Sequence, residues 1–180
     1  MSARLARPIE PDDHVIGPPN APVTLVEYGD FECPHCGTAY PIVERIRQRL
    51  GDRLRFVYRH FPLTQAHPHA QHAAEMAEAA GERGAFWEMH RLLYEHQDAL
   101  DDASLVRYAA SVGVDADWAA EALATGMFES RVRHQFMGGV RSGVNGTPTF
   151  FINGMRYDLT VNERVLTATL ESAALANSHV

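Results

Sequence analysis

Two cysteines, Cys33 and Cys36, are the residues of this sequence best suited to chemistry, and it contains no others. Only Pro34 and His35 separate them, and residues 30–32, just before the pair, should lie at the rim of any site there. An apolar run ends shortly before the pair and a helical pattern follows, which predicts a strand passing into a helix. Two thiols three positions apart on a first helical turn can close a short disulfide. The pattern therefore predicts exchange between a dithiol and a disulfide.

The start of a helix favours a thiolate at Cys33. The first backbone N–H groups there lack intrahelical partners, and the helix dipole adds partial positive charge. We expect these groups to lower the pKa of Cys33 and make it the attacking sulfur. Pro34 suits the first helical position because a proline has no N–H to leave unpaired. His35 adds a donor, and a positive charge when protonated, that should stabilise the thiolate and favour the reduced form.

A structural role or a metal-binding role suits the cysteine pair less well. A purely structural disulfide would gain little stability, because the loop that it closes is so short. A zinc site would have to combine both cysteines with His67 and His72, about thirty residues further on, whereas roughly a dozen separate the pairs of a zinc finger. We expect His67, His69 and His72 at a solvated helix start, and we predict no metal site.

Glu27 is a carboxylate in a segment, residues 23–28, that otherwise has the apolar pattern of a central strand. By the alternation of a strand it shares a face with Val23 and Leu25. A local hydrogen-bond donor could satisfy this carboxylate and leave it a structural role only. The functional hypothesis is that Glu27 accepts the proton that Cys36 must lose before it resolves a mixed disulfide, with burial raising the pKa of the carboxyl toward the working range.

A second motif lies at residues 146–154, which read Gly-Thr-Pro-Thr-Phe-Phe-Ile-Asn-Gly. The two motifs, in this order and at this distance, resemble the thioredoxin superfamily, and the Cys-Pro-His-Cys form is similar to its DsbA branch. The resemblance extends over roughly residues 14–175, nearly the whole chain. It implies an α/β architecture, the thioredoxin fold with an all-helical insertion between its two halves.

The same resemblance implies roles for individual residues. Pro148 would be a cis-proline that packs beside the disulfide, and Thr147 would contact the substrate backbone. Together with Pro34 these two residues form the expected substrate-binding set. The family carries an acid six residues before the first cysteine, and Glu27 stands at that place. The resemblance implies no metal and no organic cofactor.

The predicted elements agree with such a fold. They are an edge strand at 14–16, strands at 23–28 and 54–59, a helix over 34–50 and helices throughout 65–143. A hairpin follows, made of a strand that comes after Pro148 and runs to 152 and a strand at 155–159, and the last element is a helix over 161–176. The strand–helix–strand succession favours a parallel crossover. The last helix should bury Val165, Leu166, Leu170 and Ala173. We divide the chain into an N-terminal thioredoxin half over 1–64, the helical insertion over 65–143 and a C-terminal half over 144–180.

Charge and hydropathy limit the partners. The net charge is −7, the isoelectric point is about 5.8 and all 16 basic residues are arginine. An acidic chain argues against nucleic-acid and anionic-membrane surfaces. The first ten residues lack the apolar core of a signal peptide, and no run approaches the length of a membrane span. With Met1 as the true start we expect a cytoplasmic protein; because many DsbA relatives are exported, a trimmed start would instead mean a periplasmic or exported one.

The sequence thus predicts a thiol–disulfide oxidoreductase that exchanges disulfides with protein or peptide substrates and with a redox partner. Its potential decides whether it acts as an oxidase, a reductase or an isomerase. One alternative is a redox-inert binding or chaperone module that uses a groove of the helical insertion. Another is a glutathione-dependent transferase or isomerase, although such relatives tend to have serine where this chain has Cys33. Without the separate dimerisation module of the isomerase branch, we expect a monomer.

Overall fold

Five strands form one sheet in the computed structural model, which describes residues 3–177. In chain order they are β1 (His14–Ile16), β2 (Val23–Gly29), β3 (Leu54–His60), β4 (Thr149–Ile152) and β5 (Met155–Tyr157). Across the sheet the order is β1-β3-β2-β4-β5, and the pairs β1–β3, β2–β4 and β4–β5 are antiparallel. Since the sheet is mixed, the remaining pair, β2–β3, is the parallel one. The predicted crossover and the predicted edge strand are thereby confirmed.

Seven helices accompany the sheet over the described part of the chain. They are α1 (Pro34–Leu50), α2 (Ala70–Gly81), α3 (Phe86–Glu95), α4 (Asp102–Ser111), α5 (Ala116–Thr125), α6 (Glu129–Arg141) and α7 (Glu163–Asn177). Helix α1 begins and ends where predicted, and Gly51 follows it with a positive φ of 52°, a conformation that favours glycine. Helices α2 to α6 lie between β3 and β4 in the chain, which confirms the thioredoxin fold with an all-helical insertion.

The residues group into two compact units. The first, which we call the sheet unit, takes in the described residues up to 29, residues 38–59 and the described residues from 138 onward. The second, the helical unit, takes in residues 30–37 and 60–137. Within the described residues no helix has both the length and the apolar character that a bilayer crossing requires.

The N-terminal segment belongs to the sheet unit. Arg4 forms a β-bridge with Met155, and the N–H of Leu5 donates to the Gly154 oxygen at 2.8 Å. The N–H of Ala6 donates to the Ser142 hydroxyl at 2.9 Å. This segment therefore covers the outer edge of β5, where an exposed strand would otherwise leave its backbone groups unpaired.

Arg59 anchors the same segment from within the sheet unit. It lies on β3, and its side chain is fully buried. Its Nε and Nη2 donate to the two carboxylate oxygens of Asp13 at 2.8 and 2.7 Å. The remaining donors reach the Arg7 oxygen, the Pro8 oxygen and the Tyr28 hydroxyl at 3.0, 2.7 and 3.1 Å. These five bonds use the five N–H donors of a guanidinium.

Two predictions near the C-terminal end are wrong in detail. Strand β5 stops at Tyr157 and does not reach Leu159. Tyr157 pairs with Phe150, so Leu159 would have to pair with Pro148, which has no N–H to donate. Helix α7 begins at Glu163, and the buried residues on its inner face are Leu166, Thr167, Leu170 and Ala174. The predicted Val165 and Ala173 are only partly buried.

Candidate active site

The two cysteines lie at the start of α1, as predicted. Helix α1 begins at Pro34, and Gly37 N–H donates to the Cys33 oxygen at 3.1 Å, which makes Cys33 the capping residue. Cys33 N–H in turn donates to the Asp30 oxygen at 3.1 Å. A tight turn therefore delivers the chain into the helix, with both sulfurs on its first turn.

Exposure differs sharply within the motif. Cys33 is 3 % exposed and Cys36 is fully buried, whereas Pro34 and His35 are exposed. The sulfurs are thus buried while the two residues between them face solvent. His35 is not packed into the core, as the sequence predicts.

Gln97 holds the turn from outside the motif. It follows helix α3, and its Nε2 donates to the Phe31 oxygen at 2.7 Å and to the Cys33 oxygen at 2.9 Å. Its amide also closes over the first helical turn, because a Cβ on Gly37 would lie 2.0 Å from Gln97 Oε1. Gln97 therefore fixes the backbone on both sides of Glu32, and a side chain at position 37 would displace its amide.

Asp30 is buried, which corrects its predicted place at the rim. It is 2 % exposed, and its Oδ1 accepts the N–H of Glu32 at 2.8 Å. Its Oδ2 accepts the N–H of Leu63 at 2.9 Å and lies 2.7 Å from Nδ1 of His67. The carboxylate of Glu32 accepts the N–H of His69 at 2.7 Å. The turn before Cys33 is thus tied to residues 63–69.

The electrostatics of His67 reflect this position. Burial lowers the pKa of His67, but the hydrogen bond and charge of Asp30 raise it, and so do the charges of Cys33 and Glu32. The balance leaves the pKa of His67 above its ordinary value. His67 is therefore part of the surroundings of the cysteines, and its predicted place at a solvated helix start is wrong.

Phe31 packs the turn into the helical unit. It is 1 % exposed, which also corrects its predicted place at the rim. Its ring centroid lies 4.9 Å from that of Tyr94, 5.6 Å from that of His90 and 5.8 Å from that of His60. Aromatic rings at such separations favour tilted and edge-on contacts. The backbone just before the cysteines is thus fixed by an aromatic cluster as well as by hydrogen bonds.

Glu27 and the second motif meet in the sheet unit. Glu27 is 3 % exposed on β2 and pairs with Phe150 of β4. Thr149, the next residue back along β4, pairs with Tyr28. The peptide bond before Pro148 is cis, which the resemblance implies. Glu27 and the strand that follows Pro148 thus lie on neighbouring strands of the sheet. The contact between Pro148 and the disulfide stays a prediction.

Sequence reasoning did not identify Gln97 or His67 as parts of the site. Gln97 binds backbone oxygens 64 and 66 positions earlier in the chain, and His67 binds a carboxylate 37 positions earlier. Asp30 offered a signal, since an aspartate before a helix start often accepts backbone N–H groups. Its partners Leu63 and His67 could not be read from the sequence.

Comparison with known proteins agrees with the fold. The family model described as Thioredoxin matches residues 10–172. BdbD from Bacillus subtilis, solved in its oxidised form, superposes with a TM-score of 0.86 at 23% identity, covering 97% of this chain and 100% of that one. Alpha-DsbA1 from Wolbachia pipientis superposes with a TM-score of 0.82 at 19% identity, covering 96% of each chain. The chain thus has the fold of DsbA-like proteins.

A curated relative is closer in sequence. The Na(+)/H(+) antiporter NhaA 1 of Salinispora arenicola is 52% identical over 169 residues, which cover 92% of this chain and 26% of the antiporter. The chain therefore spans about a quarter of the length of the curated relatives it matches.

Proposed function

This chain belongs to the thioredoxin family, and from that premise we propose that it is a thiol–disulfide oxidoreductase acting on protein substrates. The observation that carries the proposal is the Cys33-Pro-His-Cys36 sequence on the first turn of α1. Both sulfurs lie where a helix start stabilises negative charge. The fold shared with DsbA-like proteins supports it.

The proposed reaction has two steps. The Cys33 thiolate attacks a substrate disulfide, forms a mixed disulfide and expels one substrate sulfur as a thiolate. Cys36 then loses its proton and attacks the Cys33 sulfur, which releases the second substrate sulfur. The substrate gains two electrons, and the cysteines lose two as their own disulfide forms. The reverse sequence oxidises a substrate dithiol.

The remaining residues receive supporting roles. Glu27 accepts the proton of Cys36, and its burial on β2 supports this role because burial favours a neutral carboxyl. His35 stabilises the Cys33 thiolate by charge. Thr147 and Pro148, with Pro34, hold an extended segment of the substrate. These steps need no metal or organic cofactor.

A trapping experiment tests the proposal. The wild-type protein should reduce insulin with dithiothreitol as electron source. Cys36→Ala should accumulate a mixed disulfide with a peptide disulfide, visible as an adduct mass, because the resolving thiol is gone. Cys33→Ala should form no adduct and should not reduce insulin. A wild-type protein without exchange activity, or a Cys33→Ala protein that keeps it, would contradict the proposal and favour a redox-inert binding module.

The reduction potential decides the direction of electron flow. A potential near −120 mV, as in a strongly oxidising site, would lie roughly 100 mV or more above a cytosolic glutathione poise. Since about 30 mV changes the ratio of dithiol to disulfide tenfold, the dithiol would then exceed the disulfide in the cytosol by a factor of about 10³ or more. Equilibration of the two cysteines against a glutathione series, followed by alkylation and mass measurement, gives this potential. A value near the cytosolic poise or below it would identify a reductase.

A second candidate function rests on the antiporter relatives. Their identity extends over 92% of this chain but only 26% of the antiporter, so the match is to a part of a transport protein. We infer, as this second candidate, that the chain is a thiol–disulfide module that acts on a sodium–proton antiporter. Antiport measured in membrane vesicles with the oxidised or the reduced chain added would test it. Equal transport rates with both forms would exclude this role.

A further inference from the structure

His67 occupies a fixed position beside the cysteine turn. Its Nδ1 lies 2.7 Å from Asp30 Oδ2, and its own N–H donates to the Leu63 oxygen at 2.9 Å. Leu63 N–H donates to the same Asp30 oxygen at 2.9 Å. The backbone oxygen of Asp30 accepts the N–H of Cys33 at 3.1 Å. A single residue, Asp30, therefore connects the imidazole with the attacking cysteine.

The groups that face His67 are acidic. Asp30, Glu32 and Cys33 all attract a proton to the imidazole by charge, against the opposing effect of burial. His69, on the same segment as His67, turns its backbone N–H to Glu32 at 2.7 Å. Asp30 and Glu32 take no part in disulfide exchange. Cys33 is different, because its charge disappears when its sulfur enters a disulfide.

Resting on the proposed function, we propose that His67 takes up a proton when Cys33 is reduced to a thiolate and releases it when the disulfide forms. In the balanced reaction a substrate dithiol gives two electrons to the Cys33–Cys36 disulfide and becomes a disulfide itself. One of its two protons goes to Cys36 and the other to His67. The negative charge left on Cys33 is thus matched by the positive charge gained at His67.

Linkage makes the effect reciprocal. If the Cys33 thiolate strengthens proton binding at His67 by some factor, a protonated His67 stabilises the thiolate by the same factor. For a half-buried pair of charges we expect a factor of roughly three to ten, or about half to one pKa unit. Because the pKa of His67 is raised, the thiolate is stabilised below that pKa. The benefit is lost as pH rises through it, so acidification should raise the reduction potential.

Proton NMR of the imidazole tests the proposal in the wild-type protein. His67 is titrated once with the disulfide closed and once with dithiothreitol holding both cysteines reduced; His67→Gln identifies its resonance. We expect the reduced form to bind the His67 proton three- to tenfold more tightly. A titration that is the same in both forms would overturn the proposal and leave the Asp30 contact as a purely structural link.

A matched pair of variants gives the reciprocal measurement. His67→Gln keeps a hydrogen-bond donor but loses the charge, whereas His69→Gln changes an exposed histidine two positions on. We expect the first to weaken Cys33 thiolate formation three- to tenfold, measured by absorbance at 240 nm, and the second to leave it unchanged. Equal effects from both variants, or none from His67→Gln, would contradict the proposal. If His67→Gln does not fold, sequential backbone and side-chain assignment of the isotope-labelled wild type identifies the resonance among the ten histidines, and the titration in the two redox forms decides.

The two proposals can fail separately. Chemical reduction with dithiothreitol opens the disulfide whether or not the chain acts on protein substrates. A missing insulin-reductase activity would therefore count against the proposed function, while the redox-dependent titration of His67 would still be measured. A constant titration in an active enzyme would count against the linkage alone.

Discussion

Side chains outside the Cys-Pro-His-Cys motif hold the cysteine turn. Gln97 binds two of its backbone oxygens, and Asp30 binds the N–H groups of Glu32 and Leu63. His35, inside the motif, is exposed. Residues outside the motif therefore set the backbone of the site, whereas residues of the motif carry the proposed chemistry, so the two contributions can be changed one at a time.

His35 is expected to act by charge. In His35→Ser the Cys33 thiolate should become about tenfold harder to form, because the nearby donor and its positive charge are lost. A tenfold loss lowers the potential by about 30 mV. Thiolate absorbance against pH and the glutathione equilibrium measure the two quantities. His134→Ser, which changes an exposed histidine on α6, is the control, and an unchanged thiolate titration in His35→Ser would refute the role.

Gln97 is expected to act by position. Gln97→Ala removes both hydrogen bonds to the turn and should lower the free energy of unfolding by about 1–3 kcal/mol. Gly37→Ala should cost up to about as much, because its Cβ would displace the Gln97 amide and break the same two hydrogen bonds. With both changes the clash is gone, so the double variant should be no less stable than Gln97→Ala.

Urea unfolding measures this cycle. Gln48→Ala on the exposed face of α1 serves as the matched control and should change little. Additive losses from Gly37→Ala and Gln97→Ala would show that the two positions do not interact, contrary to the 2.0 Å approach of the Gly37 Cβ to Gln97.

Glu27 is expected to act on the second step of exchange. Glu27→Gln keeps the shape but cannot accept a proton, so resolution of the mixed disulfide should slow by up to about 10²-fold. Single-turnover release of the second substrate thiol measures this step across pH. Glu88→Gln, an exposed position on α3, is the control. Equal rates for Glu27→Gln and wild type at every pH would remove Glu27 from the mechanism.

Elements with strong local signals were predictable. Helix α1 has a proline at its first position and a left-handed glycine after its end, and the hairpin turn at Asn153-Gly154 has positive φ values of 47° and 79°. The predicted inner face of α7 includes Val165 and Ala173, whereas the structure buries Thr167 and Ala174 instead. Asn162 caps that helix by accepting the N–H groups of Arg164 and Val165, and the packed face follows from tertiary contacts.

The cysteines and the cis-proline carry sequence motifs, whereas the residues that hold the turn do not. The contacts of Asp30 with His67 and of Phe31 with Gln97 join residues 37 and 66 positions apart. Hydrophobic periodicity reports which face of an element is buried, but it carries no information on which distant polar groups meet. That part of the site becomes visible only in three dimensions.

Helix α4 provides a prediction for a single element. Asp101 caps it, and hydrogen bonds from the hydroxyl and the N–H of Ser104 lower the pKa of Asp101 below its ordinary value. A lowered pKa means that the cap contributes stability above the unfolded-state pKa and loses it as pH falls through the folded-state value. Asp101→Ala should therefore be less stable than wild type at pH 7 and approach it at strongly acid pH.

Thermal unfolding over a pH series measures the difference. Glu121→Ala, at an exposed position inside α5, is the control for a change of charge without a cap. A destabilisation by Asp101→Ala that persists undiminished at acid pH would show that the cap does not depend on the charged carboxylate.

At the scale of the molecule, each unit buries a carboxylate against basic side chains. In the sheet unit Asp13 binds Arg59 through both oxygens. In the helical unit Glu78 lies 2.8 Å from Nε2 of His60 and 3.0 Å from Nη1 of Arg131. Buried charges cost little only while their partners stay in place. Each unit therefore depends on contacts between residues far apart in the chain.

The Arg59 anchor gives the largest expected loss of stability. Asp13→Asn removes the counter-charge and leaves a buried guanidinium, which should cost about 3–5 kcal/mol. Burial lowers the pKa of Arg59, and the contacts with Asp13 and Tyr28 raise it above its ordinary value. Because a guanidinium keeps its charge in proteins, the variant also buries a charged Arg59. Glu95→Gln breaks the exposed pair with Arg91 and should cost under about 1 kcal/mol. Urea unfolding compares them; similar small losses in both variants would contradict the anchor.

The anchor also sets where this fold can be cut from, or joined to, another polypeptide. Arg7, Pro8 and Asp13 precede the first strand, yet they accept hydrogen bonds from Arg59, a buried arginine on the inner strand β3. A genetic fusion that transferred only the strands and helices would leave that arginine without these hydrogen-bond acceptors. The transferable module of this protein therefore begins no later than Arg7, and linkers belong before it.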